Sequence, residues 1–325
     1  MIRLDRNVHA KFRRGSSVKL KEVKKLMLGL TNMCNGKCLM CWHSNKIQHT
    51  RCELKEDIYN EIKNKLFHRI NLLDLAGGGE ALTHPRIENI FKDFKKYKFK
   101  ILITSNFSAI SDRHREILKD TNVEFVVSLD GSNKNLQEFL RPNCYYDKII
   151  DNIKFFKKCG KKVMFQTTVS NYNLYDMQNI IDLADDLGID SVKFQEVQYL
   201  KNLDRPYKLS KPKEDIAYLD SLFENRKFNN ICVFFGFYHK SIIPVPSICY
   251  SFYKKWKEIF PDKYCPNTFD TLKIQEDGKI LSCCLPYSQV MGDLNVNSLE
   301  EIIDTRDFDN MRRTCSCKIV PKRQL

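Results

Sequence analysis

Three cysteines within eight residues constrain this chain more than any other feature of its sequence. Cys34, Cys38 and Cys41 stand at offsets of four and three inside the segment 30–42. Thiolates at this density are typical ligands of an iron–sulfur cluster or a zinc ion. A closed structural zinc site uses four protein ligands, whereas a reactive metal site keeps one position open for a substrate or cofactor. Three cysteines therefore predict a metal centre with one open position.

The rest of the composition is that of a folded protein rather than a disordered one. The chain has 325 residues, of which 42% are apolar, enough for one large domain and a small one. No apolar run approaches the roughly 20 residues of a membrane helix, and the N-terminus lacks a signal-peptide core. We therefore expect a cytoplasmic protein with no membrane partner. In that compartment thiols stay reduced, so the thirteen cysteines favour metal ligation over disulfides.

The positive charge is concentrated at the N-terminus. The formal net charge is +14, and its densest source is a basic arm at residues 1–24. Such an arm suits contact with nucleic acid, an acidic peptide or a phosphorylated small molecule. We favour the alternative of a solvated tail, so nucleic acid is not the favoured partner.

Short β-rich runs alternate with amphipathic stretches over residues 25–200, and this pattern predicts the fold. Alternation of this kind implies parallel strands joined by right-handed crossovers. Six units are fewer than the eight of a closed barrel, so we expect an α/β fold, an open, partial (β/α)6 barrel of the TIM type. The predicted strands are 25–30, 72–76, 100–104, 124–129, 162–168 and 191–197, and the predicted helices lie near 55–69, 86–97, 112–119, 146–159 and 173–187.

Unusual residues follow each of the first four predicted strands. The cysteine loop follows the first strand, and Ser105 with Asn106 follows the third. Barrel enzymes build their sites from the loops at the carboxyl ends of the strands. The pattern therefore predicts a site there, although a glycine-rich turn alone indicates no more than a tight turn. The second strand is followed by Gly77, Gly78, Gly79 and Glu80, and the fourth by Asp130 and Gly131.

A second group of cysteines lies near the C-terminus, after a segment at 201–263 in which the alternation fades. Residues 269–283 have the pattern of a β-hairpin with an Asp277-Gly278 turn, and Ser298 with Glu301 forms a helix-capping box at the start of a helix predicted over 298–312. Four cysteines also suit a closed zinc site, so a zinc ribbon is the alternative. The group consists of Cys265, Cys283, Cys284, Cys315 and Cys317.

The C-x3-C-x2-C loop resembles that of the radical S-adenosylmethionine (SAM) enzymes. The resemblance implies that the three cysteines hold a [4Fe–4S] cluster whose open iron binds the amino and carboxylate groups of SAM. The glycine run with Glu80 resembles the family's Gly-Gly-Glu motif, whose backbone contacts the SAM amino group, although Ala81 stands where proline is common. Ser105 and Asn106 resemble the pair that reaches the ribose.

Further positions match the family less tightly. Ser128 and Asp130 lie in a Ser-Leu-Asp-Gly segment that is common in members with a C-terminal cluster domain, and Asp130 is a catalytic candidate. Arg141 matches an arginine that pairs with the SAM carboxylate, a task that suits a guanidinium; a surface helix position is the alternative. Trp42 is expected near the adenine, or else in the core.

The C-terminal segment 264–325 resembles the Twitch domain, a small α+β module that is the shortened form of the SPASM domain. The resemblance implies a second, auxiliary [4Fe–4S] cluster. Its expected ligands are Cys265, Cys283, Cys315 and Cys317, with Cys284 as an alternative ligand.

The family's chemistry implies that SAM is cleaved to a 5′-deoxyadenosyl radical, which abstracts hydrogen from an unactivated C–H bond. We expect oxidation or epimerisation of a small molecule, such as a sugar, a cyclitol or a natural-product precursor. An external donor such as flavodoxin or ferredoxin would supply the electrons. In the segment 201–263, expected to link the domains and cover the substrate, Cys232 and Cys249 are candidate hydrogen donors for epimerisation; inert buried thiols are the favoured alternative.

Two other functions remain open from the sequence. One is radical modification of a peptide or an RNA, guided by the basic arm. The other belongs to a different class, a non-enzymatic protein that binds zinc and nucleic acid.

Overall fold

The structure is a computed structural model that describes most of the barrel and part of the C-terminal segment. The described residues are 20, 23–41, 50–196, 214, 218, 221–222, 232–236 (backbone only), 271–282, 288–305 and 308. Most of the predicted basic arm and most of the segment 201–263 lie outside them. Within the described part, no helix is long and apolar enough to cross a membrane.

Six parallel strands form the centre of the sheet in the order in which they occur in the chain, which confirms the predicted α/β fold. Each predicted strand is present and begins and ends within two residues of its expected limits. Consecutive neighbours in parallel register require crossovers along one side of the sheet. The strands are β1 (Lys25–Leu28), β2 (Leu72–Leu75), β3 (Lys100–Ser105), β4 (Val123–Ser128), β5 (Lys162–Val169) and β6 (Ser191–Glu196).

Helices provide the crossovers, and one of them was missed by the sequence analysis. The unpredicted helix, α4, has seven residues and begins where the side chain of Asn133 accepts a hydrogen bond from the amide of Leu136. A helix this short shows little periodicity, so only its cap could have revealed it. The helices are α1 (Glu56–Leu66), α2 (Ile87–Phe94), α3 (Asp112–Leu118), α4 (Lys134–Leu140), α5 (Tyr146–Lys158) and α6 (Met177–Asp186).

The sheet continues beyond the six predicted barrel strands at both edges. At one edge β7 (Cys232–Gly236) lies parallel to β6, inside the segment that was expected to be a linker. At the other edge β8 (Thr271–Ile274) lies parallel to β1, which joins the C-terminal segment directly to the barrel.

The predicted C-terminal hairpin and capped helix are both present. β9 (Lys279–Leu281) is antiparallel to β8, and β10 (Val290–Asp293) is antiparallel to β9. The short helix α7 (Leu299–Ile303) begins with the expected capping box.

The two faces of the sheet differ in polarity, because successive side chains of a strand point to opposite faces. The outer face is apolar and packs with the helices in one core, represented by Leu26, Leu73, Ile101, Phe125 and Phe165. The opposite, inner face carries half-buried polar side chains, among them Asp74, Glu124, Gln166, Thr168 and Lys273. The fold thus leaves a polar inner face below the loops at the carboxyl ends of the strands.

Candidate active site at the carboxyl ends of the strands

Backbone hydrogen bonds to two neighbouring segments fix the cysteine loop that follows β1. The amides of Gly79 and Glu80 donate to the carbonyls of Thr31 and Met33, at 3.1 and 2.8 Å. On the other side, the amide of Lys37 donates to the carbonyl of Pro142 at 2.9 Å. The loop is therefore held between the glycine run after β2 and the segment after α4.

Gly36 allows three sulfur atoms to gather inside the loop. A Cβ atom at this glycine would lie 2.6 Å from Sγ of Cys144, 3.6 Å from Sγ of Cys38 and 3.7 Å from Sγ of Cys34. A contact of 2.6 Å is too close for a real Cβ, so any other residue would displace the Cys144 thiol. Cys144 is fully buried and belongs to neither cysteine group of the sequence, so spacing gave no signal for it.

The first two cysteines of the loop have pKa values shifted in opposite directions. Partial desolvation by the surrounding loops, followed by the nearby carboxylate of Glu80, raises the pKa of Cys34 to about 12, although the residue is still exposed to solvent. A hydrogen bond from the Cys144 thiol, with help from the guanidinium of Arg141, lowers the pKa of Cys38 to about 6 despite its burial. Cys38 is therefore the thiol that is ready as a thiolate ligand at neutral pH.

Glu80 ties the loop after β2 to the loop after β3. Its carboxylate accepts a hydrogen bond from the amide of Asn106 at 2.8 Å and a longer one from the amide of Leu82 at 3.4 Å. The side chain is 3% exposed, and burial raises its pKa to about 7 even though these hydrogen bonds and one from Ser105 oppose the shift.

Asn106 connects this pair of loops to the cysteine loop through neutral hydrogen bonds. Its amide nitrogen donates to Oδ1 of Asn35 at 2.7 Å and lies 4.0 Å from Sγ of Cys34. Asn35 in turn donates to the hydroxyl of Ser108 at 3.0 Å. The neighbouring Ser105 is buried, and its hydroxyl accepts from the amide of Phe107 at 2.9 Å. The predicted Ser105-Asn106 pair thus lies beside Cys34.

Arg141 and Asp130 form a buried ion pair beside Cys38. Nε of Arg141 donates to Oδ2 of Asp130 at 2.6 Å, and its Nη1 lies 3.6 Å from Sγ of Cys38. The other oxygen of Asp130 accepts from the amide of Thr168 at 2.7 Å. Burial alone would lower the pKa of Arg141, but Asp130 and Cys38 outweigh it and raise that pKa. Asp130 is 0% exposed, so its carboxylate faces protein groups only.

The unpredicted helix α4 places Arg141 by way of Gln137, another residue that the sequence analysis missed. Oε1 of Gln137 accepts from the amides of Asp130 and Gly131, at 2.8 and 3.1 Å. A Cβ at Gly131 would lie 2.5 Å from the backbone nitrogen of Gln137, so this glycine allows α4 to pack directly on the loop. Arg141 then follows one turn later at the helix end.

The chemistry of the cysteine loop fits a cluster, although no metal site is preassembled. In the part of the chain that the structure describes, no three His, Cys, Asp or Glu side chains already form a metal-ion site. The thiols of Cys38 and Cys41 are nevertheless close enough to raise the pKa of Cys34. The three thiols are close enough to affect one another's ionisation, and the pKa of Cys38 is lowered. Gly36 leaves space between the sulfur atoms. This arrangement suits an iron–sulfur cluster.

Some of the remaining predicted site residues are described by the structure, and the others lie outside the described residues. Gly79 packs so closely on the cysteine loop that a Cβ there would lie 2.2 Å from the carbonyl oxygen of Met33, while Gly77 and Gly78 precede it in the same turn. Ser128 ends β4, half-buried on the inner face. Cys232 lies in β7, of which only the backbone is described. Outside the described residues lie Trp42, Cys249, Cys265, Cys283, Cys284, Cys315 and Cys317.

Two family models match the chain and together cover most of it. The Radical SAM superfamily model matches residues 28–188, and a model named SPASM, an iron–sulfur cluster-binding domain, matches residues 265–321. The protein belongs to the radical SAM superfamily, in the group that carries this C-terminal domain. Its cofactors are therefore SAM, the [4Fe–4S] cluster that binds it, and auxiliary iron–sulfur chemistry in the C-terminal domain.

Particular relatives are distant. The chain is 24% identical over 290 residues to MJ0907, an uncharacterized protein of Methanocaldococcus jannaschii, covering 84% of this chain and 89% of that one. It is 26% identical over 156 residues to a GTP 3′,8-cyclase of Synechocystis sp., covering 46% of each chain. Among solved structures, SuiB of Streptococcus suis bound to S-adenosylmethionine has a TM-score of 0.67 at 17% identity, covering 97% of this chain and 77% of SuiB. This likeness confirms the fold, a partial barrel of the radical SAM type.

Proposed function

We propose that this protein removes a hydrogen atom from an unactivated C–H bond of its substrate, as an oxidase-type or epimerase-type radical SAM enzyme. The observation that carries the proposal is the convergence of three loops on the cysteine loop, with Glu80 and Asn106 beside Cys34 and Arg141 beside Cys38. When bound, the cluster and SAM together supply the 5′-deoxyadenosyl radical that takes the hydrogen atom. The protein's own residues hold, orient and shield these groups.

The residues of the site divide this work. Cys34, Cys38 and Cys41 would hold the cluster, and the backbone of the Gly77–Gly79 turn would bind the amino group of SAM. Asn106, whose side chain bonds to Asn35, would contact the ribose of SAM together with Ser105.

Asp130 and Arg141 would act on the cluster side of the site. Both oxygens of Asp130 are engaged, by Arg141 and by the amide of Thr168, so we propose that Asp130 positions Arg141 rather than reacting itself. Arg141 would then stabilise the Cys38 thiolate and offer its remaining donors to the SAM carboxylate.

We propose a polar small molecule as the substrate. A polar small molecule suits the polar inner face below the site, and Cys232 or Cys249 would be the hydrogen donor if the reaction is an epimerisation. For an oxidation, the auxiliary cluster proposed on Cys265, Cys283, Cys315 and Cys317 would receive the second electron.

A peptide is the second candidate substrate. It is favoured by one observation, that SuiB, whose fold this chain shares, has been solved bound to its precursor peptide SuiA. Modification of a peptide would use the same site residues, since only the groups that contact the substrate differ.

The function is tested by replacing Cys38 and, as a matched control, the exposed Cys159 at the end of α5. After anaerobic reconstitution with iron and sulfide, Cys38→Ala is expected to bind less iron and to lose reductive cleavage of SAM, whereas Cys159→Ala keeps both. Persistent SAM cleavage in Cys38→Ala contradicts the assignment. A wild-type chain that takes up zinc and no iron would instead favour the non-enzymatic alternative.

A further inference from the structure

Glu276 extends from the C-terminal hairpin into a gap left by two glycines of the barrel. A Cβ atom at Gly29 would lie 2.6 Å from Oε2 of Glu276, and one at Gly77 would lie 3.6 Å from the same oxygen. Gly29 directly follows β1 and Gly77 belongs to the glycine turn after β2. The carboxylate therefore occupies the space that a side chain at Gly29 would fill, and it lies within van der Waals distance of the Cβ position of Gly77.

The pairing of β8 with β1 puts Glu276 in this position. The amide of Gly29 donates to the carbonyl of Ile274 at 2.9 Å, which continues the β1–β8 ladder to the end of both strands. The thiol of Cys52 lies 3.5 Å from the carbonyl oxygen of Glu276 and adds a second attachment. Both contacts fix the backbone from Ile274 to Glu276 against the barrel. The position of the Glu276 backbone in turn directs its side chain toward the gap.

The gap opens on the inner face of the sheet. Gly29 lies two residues beyond Met27, which is in register with Asp74 of β2 and Lys273 of β8. Residues two apart on a strand share a face, so the Glu276 carboxylate lies one layer above Asp74 on the polar inner face. Oδ1 of Asp74 is itself buried without a hydrogen-bond partner among the described residues.

Glu276 differs from the two acids beside it in having no basic partner among the described residues. Glu53 pairs with Arg51 at 2.7 Å, and Asp277 pairs with Lys279 at 2.6 Å. Within residues 23–41, 50–196, 271–282 and 288–305, no side chain forms an ion pair or a hydrogen bond with the Glu276 carboxylate. A half-buried carboxylate gains most from a partner that carries N–H donors and positive charge.

We propose that Glu276 binds an amine in the reaction chamber, either the amino group of SAM or an amine of the substrate. This inference rests on the proposed function, because it names the chemistry that the same chamber recognises. It also gives the C-terminal segment a direct part in ligand binding, in addition to the iron–sulfur domain that it carries.

The test measures equilibrium binding to the full-length, iron-loaded chain under anaerobic conditions. The probes are SAM, the primary amine dansylcadaverine and the uncharged dansylamide. Glu276→Gln keeps the shape of the side chain and removes its charge, and Glu276→Asp keeps the charge but withdraws it from the gap. Glu53→Gln is the control, since it removes a neighbouring acid that already has a partner. Iron content measured for every variant shows that the fold and the cluster are intact.

Glu276→Gln is expected to raise the Kd of one amine probe about tenfold, the loss of one charge-assisted hydrogen bond, with Glu276→Asp intermediate and Glu53→Gln unchanged. A higher Kd for SAM identifies the SAM amino group as the ligand. An unchanged Kd for SAM with weaker binding of dansylcadaverine, but not of dansylamide, identifies a substrate amine.

Equal binding of both amine probes by the wild type and Glu276→Gln, or no binding of either, overturns the proposal. The proposed function is judged separately, by SAM cleavage. A chain that binds SAM through Glu276 without cleaving it would contradict the function and leave this inference standing.

Discussion

Cys34 and Cys38 belong to the same loop, yet their surroundings are opposite in charge. Around Cys34, desolvation acts first and the Glu80 carboxylate second, and together they raise the pKa of the thiol to about 12. Around Cys38 they are the Cys144 thiol and the Arg141 guanidinium, and the pKa is lowered to about 6. Identical ligands four residues apart therefore differ in how readily they lose a proton, and the difference comes from the loops that face them.

The largest expected effect comes from breaking the charged side of the comparison. Arg141→Gln leaves the fully buried carboxylate of Asp130 without its cation, which should lower the free energy of unfolding by about 3–5 kcal/mol. The same change removes the cation beside Cys38 and should raise the pKa of that thiol. Chemical unfolding of the variant and the wild type in urea gives the difference in free energy.

Two further variants isolate the ion pair. Arg113→Gln removes an arginine whose side chain is 81% exposed and only 3.7 Å from Glu88, so it should leave stability nearly unchanged. Asp130→Asn combined with Arg141→Gln removes both charges and should recover much of the loss. If Arg141→Gln proves as stable as Arg113→Gln, the ion pair does not support the Cys38 side of the site.

The sequence was sufficient for the central strands and for the residues at their carboxyl ends. Apolar and β-branched runs separated by amphipathic helices predict parallel strands, and parallel strands bring their carboxyl ends together. Glu80 and Asn106 could therefore be placed near Cys34 without any structure. These predictions depend on local pattern and on one general rule of topology.

The missed features depend on contacts that the local sequence pattern does not reveal, and most of them join segments far apart in the chain. Arg141 meets Asp130 because α4 turns the chain back, and a seven-residue helix leaves little pattern to detect. Cys144 reaches the cysteine loop only in the folded state. Glu276 enters the barrel because β8 pairs with β1, a pairing that neither strand's sequence specifies. Local sequence thus predicts which loops form the site, but not which distant side chains complete it.

A smaller effect is expected from breaking the Glu80 side of the comparison. Glu80→Gln keeps one oxygen that can accept from the amide of Asn106 or of Leu82, but its new NH2 group would face the other amide, donor against donor. We expect a loss of about 1–3 kcal/mol in the free energy of unfolding, the cost of leaving a buried donor unsatisfied.

The same urea experiment checks this prediction. Glu88→Gln, on the half-buried surface of α2, is the control and should change stability little. Unchanged stability in Glu80→Gln would mean that the loops after β2 and β3 do not depend on this carboxylate. A loss as large as that of Arg141→Gln would remove the distinction between the two sides of the site.

The smallest expected effect tests whether a buried carboxylate with no cation in direct contact among the described residues destabilises the fold when it ionises. Burial raises the pKa of Asp74 to about 6 from its usual 3.8, although Lys273 opposes the shift. An acid whose pKa is raised by folding contributes stability that is complete below pH 4 and is lost as the pH rises through 6. Asparagine cannot ionise, so Asp74→Asn should be more stable than the wild type by about 1–2 kcal/mol at pH 8 and should have no such advantage below pH 4.

Asp93 supplies the opposite case on the outer side of the protein. Burial acts against its ionised form, but hydrogen bonds from Lys96 and Lys63 lower its pKa below 3.8. Its contribution is therefore present above that pH and lost in acid, so Asp93→Asn should be less stable than the wild type at neutral pH. Unfolding followed from about pH 2 to pH 8 should show Asp74→Asn gaining stability over the wild type as the pH rises from 4 through 6, and Asp93→Asn losing stability relative to the wild type as the pH rises toward 4 from below. Parallel stability curves for the two variants would mean that nearby cations do not decide whether a buried carboxylate stabilises or destabilises the fold. The cation Arg141 would then not explain the difference between Cys38 and Cys34.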